Sequence, residues 1–139
     1  EDMKAYKIYF KLHPHEYGNW KLTYPKLVGL QENYINLKVI EDSPCLFDLF
    51  NICGYQIGVY STTIYEGLSY DCRTLILNIP ESISMHHLVK ERGVVIVSPN
   101  DRLVEGLSAV DTNKEGSNVT LSQYFSKFNK YNLFSVIER

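Results

Sequence analysis

Two short stretches of the chain carry the residue types from which a phosphate-binding chemistry could be built. Lys11-Leu12-His13-Pro14-His15-Glu16 closes an alternating segment, and Ser61-Thr62-Thr63-Ile64-Tyr65-Glu66-Gly67 stands where an extended run turns into a helical one. In open α/β sheets, ligands bind beyond the carboxyl ends of the strands, where loops and helix N-termini meet. At such a turn the backbone N–H groups and the positive end of the helix dipole favour a phosphate, and hydroxyls add donors. His13, donating from a neighbouring strand end, would complete a phosphate clamp. Each piece also has a plainer use. A Ser-Thr-Thr run before a helix is an ordinary N-cap, and Glu66 suits the early turns of its helix through the dipole. A lone histidine after a strand commonly faces solvent. His86 and His87 are expected to be one exposed and one partly buried residue rather than metal ligands. The chain has no GxGxxG fingerprint, no Walker loop and no GxSxG elbow, which disfavours NAD, ATP and that class of hydrolase. A stand-alone phosphatase or nucleotidase would need an aspartate or cysteine nucleophile motif or a metal cluster, and neither is visible.

The elements that must position these residues follow from local pattern. Ala5–Leu12 alternates Tyr6, Ile8 and Phe10 against Lys7, Tyr9 and Lys11, a strand with one better-buried face. It ends at His13-Pro14, since proline cannot extend a ladder. Gly18 and Pro25 break the next stretch, so a loop or short turn precedes a helix from Pro25. Asn36–Ile40 is a second strand. Ser43-Pro44 is expected to open a helix as N-cap and first residue, with Leu46, Leu49, Phe50 and Cys53 buried and Gly54 as its stop. Tyr55–Tyr60 is a third strand, followed by a helix to Tyr70. Thr74–Ile79 is nearly all apolar, as for a strand covered on both faces. A helix over Ser84–Arg92 stops at Gly93, Val94–Val97 is a fifth strand, and Ser98-Pro99 opens a helix through Val110. Strands and helices alternate five times through short connections, the pattern of an α/β fold with a parallel sheet of about five strands and flanking crossover helices. Residues 111–119 read as a polar linker. Thr120 with Gln123 forms a capping box before Tyr124, Phe125 and Phe128, so residues 120–139 are expected to form a helical segment packing back on the body.

At 139 residues, with 45% hydrophobic and 22% charged residues, the chain has globular composition and the length of one domain. A net charge of −2 and a pI of 6.1 make no electrostatic case for a nucleic acid or an anionic membrane as partner. No apolar run approaches the ~20 residues of a transmembrane helix, and no signal peptide is visible. The chain opens at Glu1 rather than methionine, which points to a processed or excised piece. Cys45, Cys53 and Cys72 are too widely spaced for a metal knuckle, and they read as small apolar core residues of a protein in a reducing compartment, the cytoplasm.

Taken in order, the strand ending in Lys11-Leu12-His13-Pro14, the Glu41-Asp42-Ser43-Pro44 helix start and the Gly58-Val59-Tyr60-Ser61-Thr62-Thr63-Ile64-Tyr65-Glu66-Gly67 turn resemble the C-terminal, donor-binding half of GT-B glycosyltransferases. The likeness is strongest to bacterial surface-polysaccharide enzymes. These are the capsular polysialyltransferase and sialyltransferase group, with its HP and Ser/Thr-rich motifs, and the CDP-glycerol glycerophosphotransferases of teichoic acid synthesis. It covers residues 5–107. The resemblance implies a Rossmann-like donor domain over residues 1–110 that binds a nucleotide-sugar, with a CMP- or CDP-linked donor favoured. It implies that His13 of the His13-Pro14 motif contacts the donor phosphate as the catalytic group and stabilises the departing nucleotide. Ser61 and Thr62 would bind the same phosphate, Thr63 would support the turn, and Glu66 would hold the ribose. Such enzymes work without a bound metal or other cofactor, leaving charge stabilisation to helix dipole, hydroxyls and imidazole.

The chain departs from that pattern in two ways. GT-B enzymes have two Rossmann-like domains, and the glycan acceptor and general base belong with an N-terminal one for which this chain has no room. The donor half usually begins with a strand and helix that are also missing here. A domain lacking its first strand would expose unpaired edges and favour a homodimer. The donor-site reading requires His13 and Ser61 to lie at the same end of the sheet. The alternative is a non-catalytic Rossmann-like or flavodoxin-like interaction module, for which eleven tyrosines and one tryptophan would suit the surface.

Overall fold

The computed structural model describes residues 3–91 and 93–112. They form an α/β structure that divides into two compact units, 1–53 and the remainder from Gly54. Each unit is built on its own parallel sheet.

In the first unit, β1 (Ile8–Lys11) pairs in parallel with β2 (Leu37–Ile40), Ile8 opposite Leu37 and Lys11 opposite Ile40. A single 3₁₀ turn (Pro14–Glu16), the short helix α1 (Trp20–Thr23) and helix α2 (Pro25–Asn33) make the crossover. Pro25 stands at the first position of α2, where its missing N–H costs nothing. Helix α3 (Leu46–Ile52) follows β2. Leu12, Trp20, Ile40, Leu49 and Phe50 are buried. At the end of β1 Phe10 is 47% exposed, while Tyr9 and Lys11 are half-buried. Tyr6 and Ile8 are half-buried and Lys7 exposed, so the alternation holds at the start of the strand and fails only at its end, where Lys11 is drawn in by partners described below.

In the second unit, β3 (Tyr55–Gly58), β4 (Arg73–Leu77) and β5 (Val94–Val97) form a parallel sheet with β4 in the centre. Helix α4 (Thr62–Ser69) joins β3 to β4, a run of 3₁₀ turns (Pro80–Lys90) joins β4 to β5, and α5 (Leu103–Thr112) follows. Thr74, Leu75 and Ile76 are fully buried, as the apolar run in β4 requires. Ile64, Leu68, Ile76, Leu88 and Val94 form the core, with Tyr65, Met85 and Ile96 against it. Gly106 of α5 sits so close to the sheet that a Cβ there would lie 2.7 Å from Val97 and 2.9 Å from Leu75. Gly93 turns the chain into β5 with a φ of +76°, a conformation that suits glycine.

The five expected strands are all present and every pairing is parallel, but the ladders group them as two and three rather than as one sheet of five. Three helix starts also differ. Ser43-Pro44 does not open α3; Cys45 is the cap, its N–H donating to Asp48 at 3.3 Å. Ser98-Pro99 lies in a separate turn closed by Asp101, whose carboxylate accepts the Ser98 N–H at 2.8 Å, and α5 begins only at Leu103. The segment expected as an α-helix over Ser84–Arg92 is instead 3₁₀ and starts at Pro80. Gly54 is not needed as a left-handed stop, since α3 ends with the Cys53 N–H on the Leu49 carbonyl. Of the three cysteines only Cys72 is fully buried; Cys53 is partly buried and Cys45 exposed, because Cys45 serves as a cap. Asp111, assigned to the linker, belongs to α5. It accepts from Tyr55 Oη at 2.9 Å and pairs with Arg73 at 3.1 Å. Thr112 of that linker also belongs to α5, while residues 113–119, Thr120, Gln123 and the C-terminal helical segment lie outside the described residues.

Candidate functional site

Beyond the carboxyl end of β1, His13 caps the turn Pro14–Glu16. Its backbone N–H donates to Glu16 Oε2 at 2.7 Å, and its Nδ1 accepts the His15 N–H at 3.3 Å. The two imidazoles stack with centroids 5.0 Å apart. With Nδ1 accepting, the proton of the neutral ring sits on Nε2. His13 and Pro14 are both exposed. Glu16 also accepts from Tyr24 Oη at 2.6 Å. That hydroxyl first, then the His13 N–H, hold the Glu16 carboxyl below the usual range against a smaller opposing effect of desolvation, and the nearby imidazole adds least. The same bond pushes the Tyr24 phenol up.

A second carboxylate works at the end of β2. Glu41 accepts the Gly18 N–H at 2.8 Å and the Trp20 indole N–H at 3.0 Å. Those bonds, in that order, and the charge of Lys21 hold it below the ordinary carboxylate range, with slight desolvation opposing. The Lys11 ammonium donates to the Glu41 carbonyl and, at 2.7 Å, to Tyr17 Oη, and lies 4.9 Å from the Tyr17 ring centroid. The carboxyl end of this sheet therefore carries two hydrogen-bonded groups, Glu16 and Tyr24 about His13, and Lys11, Tyr17 and Trp20 about Glu41.

Ser61, Thr62, Thr63 and Glu66 come together on the first turns of α4, just past the carboxyl end of β3. Ser61 is the N-cap: its Oγ accepts the Thr63 N–H at 3.2 Å and the Thr63 hydroxyl at 2.9 Å. Ser61 thus has its acceptor capacity filled and its own proton left to donate. Thr62 is exposed, and neither its hydroxyl nor the Glu66 carboxylate has a side-chain partner among the described residues. Gly67 lets α4 approach β3. A Cβ there would fall 2.3 Å from the side chain of Gln56, which donates to the Ile64 carbonyl and to Thr74 Oγ1, both at 2.8 Å. Past the end of β4, Asn78, Ile79, Pro80, Ile83 and His86 line a recess of about 270 Å³.

The structure brings Ser61, Thr62, Thr63 and Glu66 onto one helix start and places His13 and Pro14 at the strand ends of the other unit. Sequence reasoning passed over Glu16, Tyr24, Glu41 and Trp20 as site residues. The available signal was an unusual density of aromatic residues with polar tips, Tyr17, Trp20 and Tyr24, beside a strand end. His86 is half-buried and His87 exposed, as expected. Among the described residues no group of three or more histidine, cysteine, aspartate or glutamate side chains could hold a metal ion. No helix among them is long and apolar enough to cross a membrane. No family model, curated protein or solved structure matches the chain.

Proposed function

We propose that the chain is the nucleotide-sugar-binding portion of a metal-independent glycosyltransferase for a bacterial surface polysaccharide, one Rossmann-like half of a GT-B architecture. His13 and Ser61/Thr62 donate to the donor phosphate, and Glu66 accepts from the ribose. A CMP- or CDP-linked donor is favoured. The glycan acceptor engages a separate N-terminal domain, and the free cysteines suit a reducing cytoplasm.

One observation carries this reading. At each strand end singled out from the sequence donor capacity is left over, Nε2–H of His13, the hydroxyl proton of Ser61 and the Thr62 hydroxyl, with the acceptor carboxylate of Glu66 one turn further along α4. Phosphate oxygens only accept, so these donors are the groups a phosphate needs, and the dipole of α4 adds to them. Titration of the chain with CMP, CDP, UMP and UDP, followed by NMR, tests the reading. One base should bind saturably. His13→Ala and Thr62→Val should each weaken it about tenfold, the worth of one hydrogen bond to a charged group.

The alternative is a protein-interaction module. An open, mostly apolar groove lined by Met3, Lys4, Ile8, Leu30, Tyr34, Asn36 and Leu37 favours it, lying at the amino ends of β1 and β2. No nucleotide binding by a folded chain would favour that module, or a donor site completed only by the separate N-terminal domain.

A further inference from the structure

We propose that Glu16 is the positioning residue of His13: by accepting the His13 backbone N–H it closes the turn that brings the His15 N–H to His13 Nδ1, and so holds the ring as its Nε2–H tautomer. The service of that Nε2–H to a phosphate rests on the donor-site reading above. The arrangement is a reciprocal cap, each end of the turn satisfying a backbone donor of the other. Tyr24 fixes the carboxylate from its far side through the 2.6 Å bond to Oε1, leaving Oε2 for His13. A histidine whose Nδ1 is occupied by a backbone donor presents one defined polar atom, and Nε2 of His13 has no partner among the described residues. Glu16 acts through His13 and touches no ligand itself.

The chain contains its own standards for the test. Ser82 Oγ donates to the Ile79 carbonyl, so it accepts from His86, whose proton is therefore on Nε2. His87 Nδ1 faces the Ser84 carbonyl, which only accepts, so His87 carries its proton on Nδ1 and takes the Tyr65 hydroxyl at Nε2. His15 makes no ring hydrogen bond among the described residues and reports an averaged ring.

Side-chain nitrogen spectra of the ¹⁵N-labelled chain, recorded where the histidines are neutral, should place His13 with His86. Glutamine keeps one acceptor oxygen for the His13 N–H and loses the charge and the second acceptor, which serves Tyr24, so Glu16→Gln should move His13 no further than Tyr24→Phe does. Glu16→Ala should move its nitrogen shifts onto those of His15 and weaken CMP binding about tenfold. Tyr24→Phe should move His13 the same way by less, and it carries the test if Glu16→Ala does not fold. Unchanged His13 shifts in folded Glu16→Ala, or in Tyr24→Phe where that variant stands alone, would overturn the proposal, as would a Glu16→Gln shift as large as that of alanine. Absence of binding of CMP, CDP, UMP and UDP alike by the wild-type chain would overturn the donor-site reading for the chain by itself and the ring's service to phosphate. The spectra of the free chain would still decide whether Glu16 positions His13.

Discussion

Glu16 and Glu41 do the same work at the ends of neighbouring strands: each carboxylate gathers a backbone N–H and an aromatic donor from the β1–α2 connection. Both are held below their ordinary pKa, so the unfolded chain takes up more protons than the folded one as the pH falls past the ordinary glutamate value of 4.5. The stability they contribute is complete above that value and is lost as the pH drops through their folded values. Tyr24 behaves oppositely. Its phenol is pushed up from 10.0, so its contribution is complete below that pH and is lost as the pH rises through its folded value. Trp20 is the chain's one tryptophan, is buried, and donates to Glu41, so its emission reports on this network. The urea midpoint read from Trp20 should be level across neutral pH and fall at both ends, and a Glu16→Gln, Glu41→Gln double variant should lose most of the acid limb. An unchanged acid limb in that variant would refute the assignment. Little of this was legible in the sequence. His13 stood out because a histidine-proline pair ends a strand pattern, whereas Glu41 gains its role only when tertiary closure brings Gly18 and Trp20 to it. The exposures of His86 and His87 were legible because local spacing alone decides them.

At the scale of elements, three Ser-led helix starts separate what is local from what is not. Ser61 caps α4 as expected, since its hydroxyl has only the helix's own N–H and Thr63 to serve. At Ser43-Pro44 and Ser98-Pro99 an aspartate further along takes over. Asp48 holds the Cys45 N–H and Asp101 the Ser98 N–H, so the first helix begins after Cys45 and the second beyond a closed turn. Ser61→Ala should therefore cost about 1 kcal/mol in urea denaturation. Thr62→Val, which removes a hydroxyl without a structural partner, should leave stability unchanged, and that contrast separates capping from ligand binding at α4. Packing of α5 makes a sharper demand. Alanine is favoured over glycine in a helix interior by about 1 kcal/mol, yet at Gly106 the new methyl would press on Val97 and Leu75, which are held in the sheet. Overpacking of that kind costs about 1–3 kcal/mol, so Gly106→Ala should be net destabilising, and a stabilised variant would show that α5 can move off the sheet.

Alternation of strand and helix patterns dictates parallel strands and crossovers, which is why the α/β class and all five strands could be read from the chain. It does not dictate which strands become neighbours, because a ladder depends on where each crossover returns the next strand. That is the point at which an expected sheet of five became a pair and a triplet. The grouping has a consequence for the stability of each sheet. β4 is hydrogen-bonded to a strand on either side, and its Thr74, Leu75 and Ile76 are sealed from solvent, so its amides exchange only through a large opening of the second unit. β1 and β2 pair over four residues with no third strand in their sheet, and most of their side chains are only half-buried. Two-stranded sheets are marginal without support, here given by Leu12, Ile40 and the carboxylate network at their ends. Native-state hydrogen exchange should therefore find the amides of Leu75 and Ile76 among the slowest of the described residues and those of Ile8–Lys11 faster by about a hundredfold or more. Equal protection of β1 and β4 would mean that the first sheet opens only in the event that unfolds the second, and the division into separately built sheets would not survive it.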